Sequence, residues 1–354
     1  MKKYYLSFYY NDLHSAGGKP KSDANYIFKK SGYQEIKIIP KLFTKSKIIS
    51  EFFTIVLGVL RVFFLPSNII IAQNFPPRQY GEAVVIRYFN KIKNRKKIKT
   101  ILLVHDLEEL RNAKNGYGQG VKAITARTSI LESTDVIISH NDAMTKWLVS
   151  KSISKDKIIE LEIFDYLESL ENSGGAYGNR IIIAGSLGKD KAGYLSELTE
   201  LNNLQFELYG PGLEEKVKKI DYVNYHGSYP SDQILSVISG SYGLIWDGDT
   251  LQGGGGINGQ YQRYNNPYKV SLYLAAGFPI IIWKGAALSS FVSKHNIGFV
   301  IDDLTELPEK ISSISVQDYG VMKENINEIG EKIRSGYFLS EALKKADKVL
   351  EENK

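Results

Sequence analysis

The sequence predicts an α/β protein built from two consecutive parallel sheets, and three observations carry that prediction. Short β-rich runs alternate with helix-period segments along the chain, an order that parallel strands need because each crossover must travel back over the sheet. The alternation pauses at a glycine-rich stretch, NSGGAYG at Asn172–Gly178, and then restarts. At 354 residues the chain is long for one core and comfortable for two.

The first strand is expected at Tyr4–Tyr10. A loop with Gly17 and Gly18 follows, and Ser22 can cap a helix over Asp23 to Lys30 by accepting an amide of the first turn. Further strands are expected at Ile36–Ile39, Asn68–Ala72, Thr100–His105, Asp135–Ser139 and Ile158–Ile163. Past a linker at Glu171–Gly178 come Arg180–Ala184, Gln205–Tyr209, Tyr222–Tyr225, Tyr242–Trp246, Pro279–Trp283 and Gly298–Ile301. The expected domains are therefore 1–170 and 171–337, both Rossmann-like. Ligands belong in the cleft between them, at the carboxyl ends of the strands. A last helix, Ser340 to Glu352, has one apolar stripe of Ala342, Leu343, Ala346 and Leu350.

Composition bounds the chemistry. With 43% hydrophobic and 24% charged residues the chain reads as soluble and globular. It has no cysteine, which excludes disulfides, thiolate metal sites and cysteine nucleophiles. The start, MKKYYLSFYYND, lacks the apolar core of a signal peptide, so the cytoplasm is the expected compartment. Ile49, Phe52, Phe53, Val56, Leu60 and Phe63 recur at helical spacing and read as the buried stripe of a core helix. The other reading of that stripe is contact with a membrane surface or a second subunit. Its apolar run, Phe52 to Leu65, falls short of the roughly 20 residues a spanning helix needs. The net charge of +6 suits an anionic membrane surface or an enzyme of anionic donors. The basic run Lys91 to Lys99 is too short to argue for nucleic acid and reads as a helix end and loop.

The densest chemistry lies between Tyr242 and Gly285, read as strand, long glycine-rich loop, helix, turn, strand. Pro267 suits the first turn of that helix, with Asn266 or Asn265 as its cap. Tyr268 and Lys269 then fall where free amides and the helix dipole attract anions, and a diphosphate could receive both amides and the Lys269 ammonium. The plain alternative is an exposed lysine at an ordinary helix start. Gly253–Gly256 could cradle phosphate or form a lid that orders on donor binding. Asp247-Gly248-Asp249 is a literal D-x-D, but one acidic pair makes a poor octahedral site, so no metal is expected. Asp247, at a strand end, reads instead as a hydrogen-bonding partner for donor or acceptor hydroxyls. Tyr9, Tyr10, Tyr261 and Tyr264 could stack on sugar or uracil, or simply pack.

The run RYNNPYKVSLYLAAGFPIIIWKGAALSSFV, Arg263 to Val292, resembles the donor-binding region of a family of bacterial sugar transferases. That family includes beta-1,6-galactofuranosyltransferases of surface-polysaccharide assembly and the glucosyltransferase that extends N-acetylglucosamine on serine-rich-repeat adhesins. HDLEELR (His105–Arg111), ISHNDAM (Ile138–Met144), IFDYL (Ile163–Leu167), AGSLGK (Ala184–Lys189), YHGSYPSDQIL (Tyr225–Leu235) and GLIWDGD (Gly243–Asp249) extend the resemblance over nearly the whole chain, in order. It implies a GT-B fold, a UDP-sugar held mainly by the C-terminal domain, a helix over 338–354 returning to the N-terminal domain, and often homo-oligomers; no cofactor besides the UDP-sugar donor is expected. It also implies that Gly185, Ser186 and Lys189 approach the diphosphate, that Tyr229 lies near the nucleotide, and that Lys269 with Asn266 and Tyr268 binds pyrophosphate. Where glucosyltransferase relatives are expected to carry an arginine after the turn, this chain offers Ser186 and Lys189, without bidentate geometry.

Many retaining GT-B enzymes place two glutamates seven apart around the donor. No glutamate occurs from Lys216 to Thr305, which speaks for inversion of the anomeric centre. Inversion needs a general base on the acceptor side. The candidates at strand ends are Asp106, His105 and His14, with Asp12 beside the last. The alternative for the pair is Asp106 capping a helix over a packed His105. Asn74 could contact acceptor hydroxyls or merely turn the chain. The expected activity is an inverting hexosyl transfer, with galactofuranose as first donor and glucose as runner-up. The expected acceptor is a glycan on a lipid carrier or a protein. A non-catalytic nucleotide-sugar-binding partner of another transferase is the alternative outside enzymology.

Overall fold

The computed structural model describes residues 1–8, 18–39, 47–76, 80–107, 109–110, 130–168 and 174–352. The chain divides into two compact units, the first gathering Lys21–Glu162 with the opening strand and Leu339–Lys354, the second built on Ile163–Phe338. All twelve expected strands form. In the first unit they are β1 (Lys2–Phe8), β2 (Gln34–Ile39), β3 (Ile69–Phe75), β4 (Lys99–Val104), β5 (Val136–Ser139) and β6 (Ile158–Glu160). In the second they are β7 (Arg180–Ala184), β8 (Gln205–Tyr209), β9 (Val223–Tyr225), β10 (Tyr242–Ile245), β11 (Ile280–Trp283) and β12 (Gly298–Ile301). Each unit holds one six-stranded sheet, ordered β2-β1-β3-β4-β5-β6 and β12-β11-β10-β7-β8-β9, and every pairing within both is parallel.

The strands are apolar without alternation because helices cover both faces of such sheets. On the first sheet, Leu6, Ile36, Ile38, Ile69 and Ile71 pack with Val85 and Phe89 of a helix at Tyr80–Ile92. A second cluster joins Phe75, Leu102, Val104 and Ile137 to Met144 and Leu148 of a helix at Asp142–Ser150. Asn141 caps that helix, its side chain accepting the Met144 amide at 3.0 Å.

Four local expectations differ from the structure. The first helix spans Gly18–Lys30, so Ser22 lies inside it and does not cap it; Pro20 is tolerated because it sits in the first turn, where its missing amide would be unpaired. The helix at Lys47–Phe63 turns the opposite way from the periodicity reading. Thr54, Gly58 and Val62 face inward, while Phe52, Phe53, Val56, Leu60 and Phe63 face out. The helix is apolar on both sides, and the thin side wins the inner place because Gly58 lets it close onto Val85; a Cβ at Gly58 would lie 2.5 Å from a Val85 methyl. The glycines of the linker are packed rather than loose: a Cβ at Gly175 would meet the Gly240 carbonyl at 1.4 Å, and Tyr177 donates to the Ile314 carbonyl. The fourth is Pro267, which is the N-cap of its helix rather than a residue of the first turn.

The terminal helix, Tyr337–Glu352, buries its predicted stripe of Ala342, Leu343, Ala346 and Leu350. Within the first unit, Asp347 accepts from Lys3 and Tyr33, the latter at 3.0 Å. Among the described residues no helix is long and apolar enough to cross a membrane.

Candidate active site

In the second sheet the winding reverses between β7 and β10, the first and fourth strands of the unit. Loops leaving two such strands diverge at their carboxyl ends and leave room for a ligand. Here the loop after β7 carries Gly185 to Lys189, and the loop after β10 carries Trp246 to Thr250. The two are tied together: the Gly248 amide donates to the Lys191 carbonyl at 2.9 Å, and Ala192 bridges to Gly248.

The helix Tyr268–Ala275 starts directly beneath these loops. Tyr273 of that helix reaches between the strands, its hydroxyl accepting the Ala184 amide at 2.7 Å. The ring occupies the space over Gly243, where a Cβ would lie 2.3 Å from a ring carbon. One turn earlier, the Lys269 ammonium donates to Asp247 Oδ1 at 2.8 Å and to the Trp246 carbonyl at 3.0 Å. Lys191 adds a second ammonium 3.7 Å from Asp247 Oδ2. The Asp247 side chain is 7% exposed and that of Lys269 15%, so this pair is held nearly out of water. Burial pushes the Lys269 ammonium below its ordinary range, and the Asp247 charge opposes that push. Holding an ammonium where solvation is poor costs stability, and such costs concentrate at functional sites.

The surroundings are polar and incompletely paired. The Tyr194 hydroxyl, Gln262 Nε2 and Asn265 Oδ1 are buried without a hydrogen-bond partner. Burial, and then the Asp247 charge, push the Tyr194 phenol far up, so it stays neutral. The Asp247 amide donates to Gln262 Oε1 at 3.3 Å, which ties the helix at Gly256–Tyr261 and the turn after it to the strand end. The glycine-rich loop is packed as well. Gly253 and Gly254 lie flat on the Trp283 indole, whose ring also carries the Arg263 guanidinium 4.5 Å from its centroid, and the Gly253 amide donates to the Asp302 carbonyl. Asp249 is exposed, with Gly193 and Gly256 close against it. Among the described residues no group of three or more metal-capable side chains gathers.

The remaining expected residues divide. Gly185 and Ser186 are exposed on the loop after β7, Lys189 is exposed at the start of the short helix Lys189–Ala192 that follows, and Asn266 is buried before the start of the helix Tyr268–Ala275. Tyr268 packs on Tyr166 and Phe164, with ring centroids 5.1 and 6.1 Å away. Tyr264 is half-buried, in the turn where its amide donates to Tyr261. Tyr229 is 38% exposed, 6.3 Å from the Tyr209 ring, which in turn stacks on His226 at 4.5 Å. His226 meets the buried Glu207 at 2.6 Å, and Arg180 and Asn224 bond the same carboxylate. Burial raises the Glu207 carboxyl, but these hydrogen bonds outweigh it and hold it below its usual value. Sequence reading missed Lys191, Tyr194, Gln262 and the Glu207 network. Lys191 had a signal, the second lysine of GKDK; the others had none, because contact between strands is invisible in one dimension.

The first unit reverses its winding between β1 and β3. At the end of β3, Asn74 donates to Asn25 at 3.0 Å and accepts from His105 Nε2 at 2.7 Å. That bond requires the Nε2–H tautomer, and burial, with Lys21 and His140 nearby, keeps the imidazole well below its ordinary pKa. His140 donates to the Val104 carbonyl at 3.0 Å; burial drives it down to about 4 against the pull of Asp106. His105 is therefore a neutral, oriented donor to Asn74. Asp106, next in sequence, is half-buried at the sheet rim. His14, Asp12, Tyr9 and Tyr10 lie outside the described residues.

Comparison with known proteins agrees with this fold. Family models described as the Glucosyltransferase 3-like N-terminal and C-terminal domains match residues 3–163 and 181–346. The chain is 34% identical over 264 residues to the beta-1,6-galactofuranosyltransferase WbbI of Escherichia coli (strain K12), covering 73% of each. It is 24% identical to Glucosyltransferase 3 of Streptococcus gordonii, over 69% of this chain and 70% of that one. Among solved structures, sucrose-phosphate synthase from Thermosynechococcus elongatus superposes with a TM-score of 0.61 at 12% identity, over 97% of both chains. Anabaena HepE, solved in complex with UDP, gives 0.60 at 9% identity over 99% of both. Two parallel six-stranded sheets of this kind and matches along nearly the whole sequence leave one conclusion: the chain belongs to the Glucosyltransferase 3-like family and is a glycosyltransferase of the GT-B type.

Proposed function

We propose that the enzyme transfers a hexose from a UDP-sugar to a glycan acceptor with inversion, in cell-surface polysaccharide assembly in the cytoplasm, and that galactofuranose is the donor sugar. The observation that carries this reading is the buried Lys269 ammonium at the winding reversal of the second sheet, seconded by Lys191. Departure of UDP develops negative charge on the diphosphate, and preorganised ammonium groups at a helix start stabilise it without having to reorganise. Asp247 has two roles in this reading: it keeps Lys269 charged in a poorly solvated place, and it offers Oδ2 to donor hydroxyls. Gly185, Ser186 and Lys189 approach the phosphates from the loop after β7, and Tyr229 and Tyr264 flank the nucleotide. HepE, solved with UDP, supports the choice of nucleotide, and the identity with WbbI supports galactofuranose.

The proton of the acceptor hydroxyl goes to Asp106 in this proposal. His105 is a positioning residue, its Nε2–H fixing the Asn74 amide for contact with the acceptor. A neutral imidazole with a depressed pKa is a poor base but a dependable donor.

Purified enzyme offered UDP, UDP-galactofuranose, UDP-glucose and UDP-N-acetylglucosamine, each with and without EDTA, tests the reading. UDP binding that survives the chelator, with slow hydrolysis of UDP-galactofuranose above the rest, is the expected result. Preference for UDP-glucose moves the chain to the adhesin-type glucosyltransferase, a reading favoured by the Streptococcus gordonii relative. Binding without turnover of any donor in the presence of acceptor glycans makes it a nucleotide-sugar-binding partner. Activity lost on chelation overturns the lysine-only account of leaving-group stabilisation.

A further inference from the structure

The outward face of the helix Lys47–Phe63 is at odds with water. Phe52, Phe53, Val56, Leu60 and Phe63 fall within about a third of a turn of one another on the helical wheel, and Phe64 continues the face past the helix end. Phe52 is 61% exposed, Phe63 55% and Phe64 76%, and the last two rings meet edge to face at 5.4 Å. Large apolar residues scattered singly over a surface need no account, but six in one stripe do. The opposite face already serves the core through Gly58 and Val62, so the outward stripe is not spare core.

A second feature lies against it. From Ala83 to His105 the chain has seven lysines or arginines and no acidic residue. Lys93 and Lys99 are engaged by Asp135, while Lys91, Arg95 and Lys97 are exposed. This basic run abuts the aromatic end of the helix. The Lys96 ammonium donates to the Leu65 carbonyl at 2.8 Å and stands 5.9 Å from the Phe63 ring centroid, and the Asn68 amide donates to the Lys96 carbonyl.

We infer that this face of the first unit docks on an anionic lipid bilayer. An apolar stripe rimmed by cations is what such a surface takes: phenylalanines enter the boundary between headgroups and acyl chains, and ammonium groups remain with the phosphates. The helix has 17 residues, about 25 Å, and lies in the plane of the surface rather than crossing it. The occupant is a bilayer rather than another protein because its charge is the complement of the rim and a fluid surface accepts protruding rings without a matching pocket. Docking here would bring the enzyme to acceptors carried on lipid. The inference stands apart from the donor assignment, since its residues are not those of the donor site.

The test is sedimentation of the full-length protein with vesicles of phosphatidylcholine and phosphatidylglycerol at 7:3, against phosphatidylcholine alone. Expected is binding to the anionic vesicles that weakens as salt rises, with little binding to the neutral ones. Phe52→Ser and Phe64→Ser each lower partitioning by about tenfold. Arg95→Gln with Lys97→Gln lowers it by about fivefold per charge at low salt. All four substitutions are at exposed positions, and unchanged melting and UDP binding confirm intact protein. Equal sedimentation of wild type and the phenylalanine variants overturns the inference, as does failure to bind anionic vesicles. A wild-type dimer that Phe64→Ser converts to monomer, with vesicle binding unmoved, also overturns it and assigns the face to a second copy.

Discussion

The first sheet reverses its winding after one strand on the short side of β1, and the second after two strands beyond β7, so the units are variants of one architecture. Their buried chemistry differs more. In the first unit, two histidines stand at the carboxyl ends of β4 and β5, on the β3 side of the reversal, kept neutral by burial, His140 down to about 4, each donating a hydrogen bond to a fixed acceptor. At the second lies an ammonium paired with a carboxylate. Neutral donors suit sugar hydroxyls, which are recognised by direction; a buried cation suits a diphosphate, which is recognised by charge. In the proposed function the two sets of strand ends serve these two kinds of recognition, and the distinction rests on a few side chains per unit.

That contrast can be broken by substitution. Asp106→Asn should leave UDP binding intact and lower turnover by about 10³-fold, measured as kcat against KM for the donor. Equal loss of UDP affinity would move proton transfer out of the first unit. Lys269→Ala should lower kcat/KM by about 10²-fold and weaken UDP in calorimetry, with some loss of stability because Asp247 keeps only the Lys191 ammonium at 3.7 Å. Gly243→Ala should cost about 2 kcal/mol in thermal unfolding, since the added methyl strikes the Tyr273 ring.

Acid titration sharpens the contrast further. His140 has a folded-state pKa below its unfolded value of 6.5, so the unfolded chain takes protons first and stability falls from about that pH down to about 4. Glu207 also has a depressed pKa, but as a carboxyl its contribution is full above about 4.5 and is lost as pH falls through the lower folded value. The first unit should therefore weaken at a higher pH than the second, followed by fluorescence of Trp147 against Trp246 and Trp283. Glu207→Gln should cost about 1.5 kcal/mol near neutrality, with its unfolding curve converging on wild type in acid. A cost unchanged down to pH 3 would remove the charge from the account of that network.

Strands were legible because each is a run of apolar residues ended by turn residues; β7, β8 and β12 begin and end where the pattern places them. Pairings that set the two winding orders were not, since they join residues far apart in sequence. Glycine was the most ambiguous letter. Gly174 and Gly175 read as part of a linker and are points of close packing, because composition does not tell freedom from lack of space. The helix at Lys47–Phe63 failed for a related reason: two apolar faces leave periodicity without a preference, and the choice fell to Gly58. Within the site, Lys269 and Asp247 were each legible at a strand or helix end. Their pairing was not, being a contact across 22 positions.

The bond from Lys3 to Asp347 joins residues 344 positions apart, while the second unit is built almost wholly on the stretch between Ile163 and Phe338. On the ribosome this sets an order. The opening strand is made first, yet its partner on the terminal helix emerges only after the whole second unit has been translated. The second unit can close as it emerges, whereas the first must wait with an uncovered sheet, the state in which nascent chains aggregate and recruit chaperones. Yield in the cell should accordingly respond more steeply to synthesis rate and chaperone supply through lesions at Lys3, Tyr33 or Asp347 than through lesions of similar energy around β8.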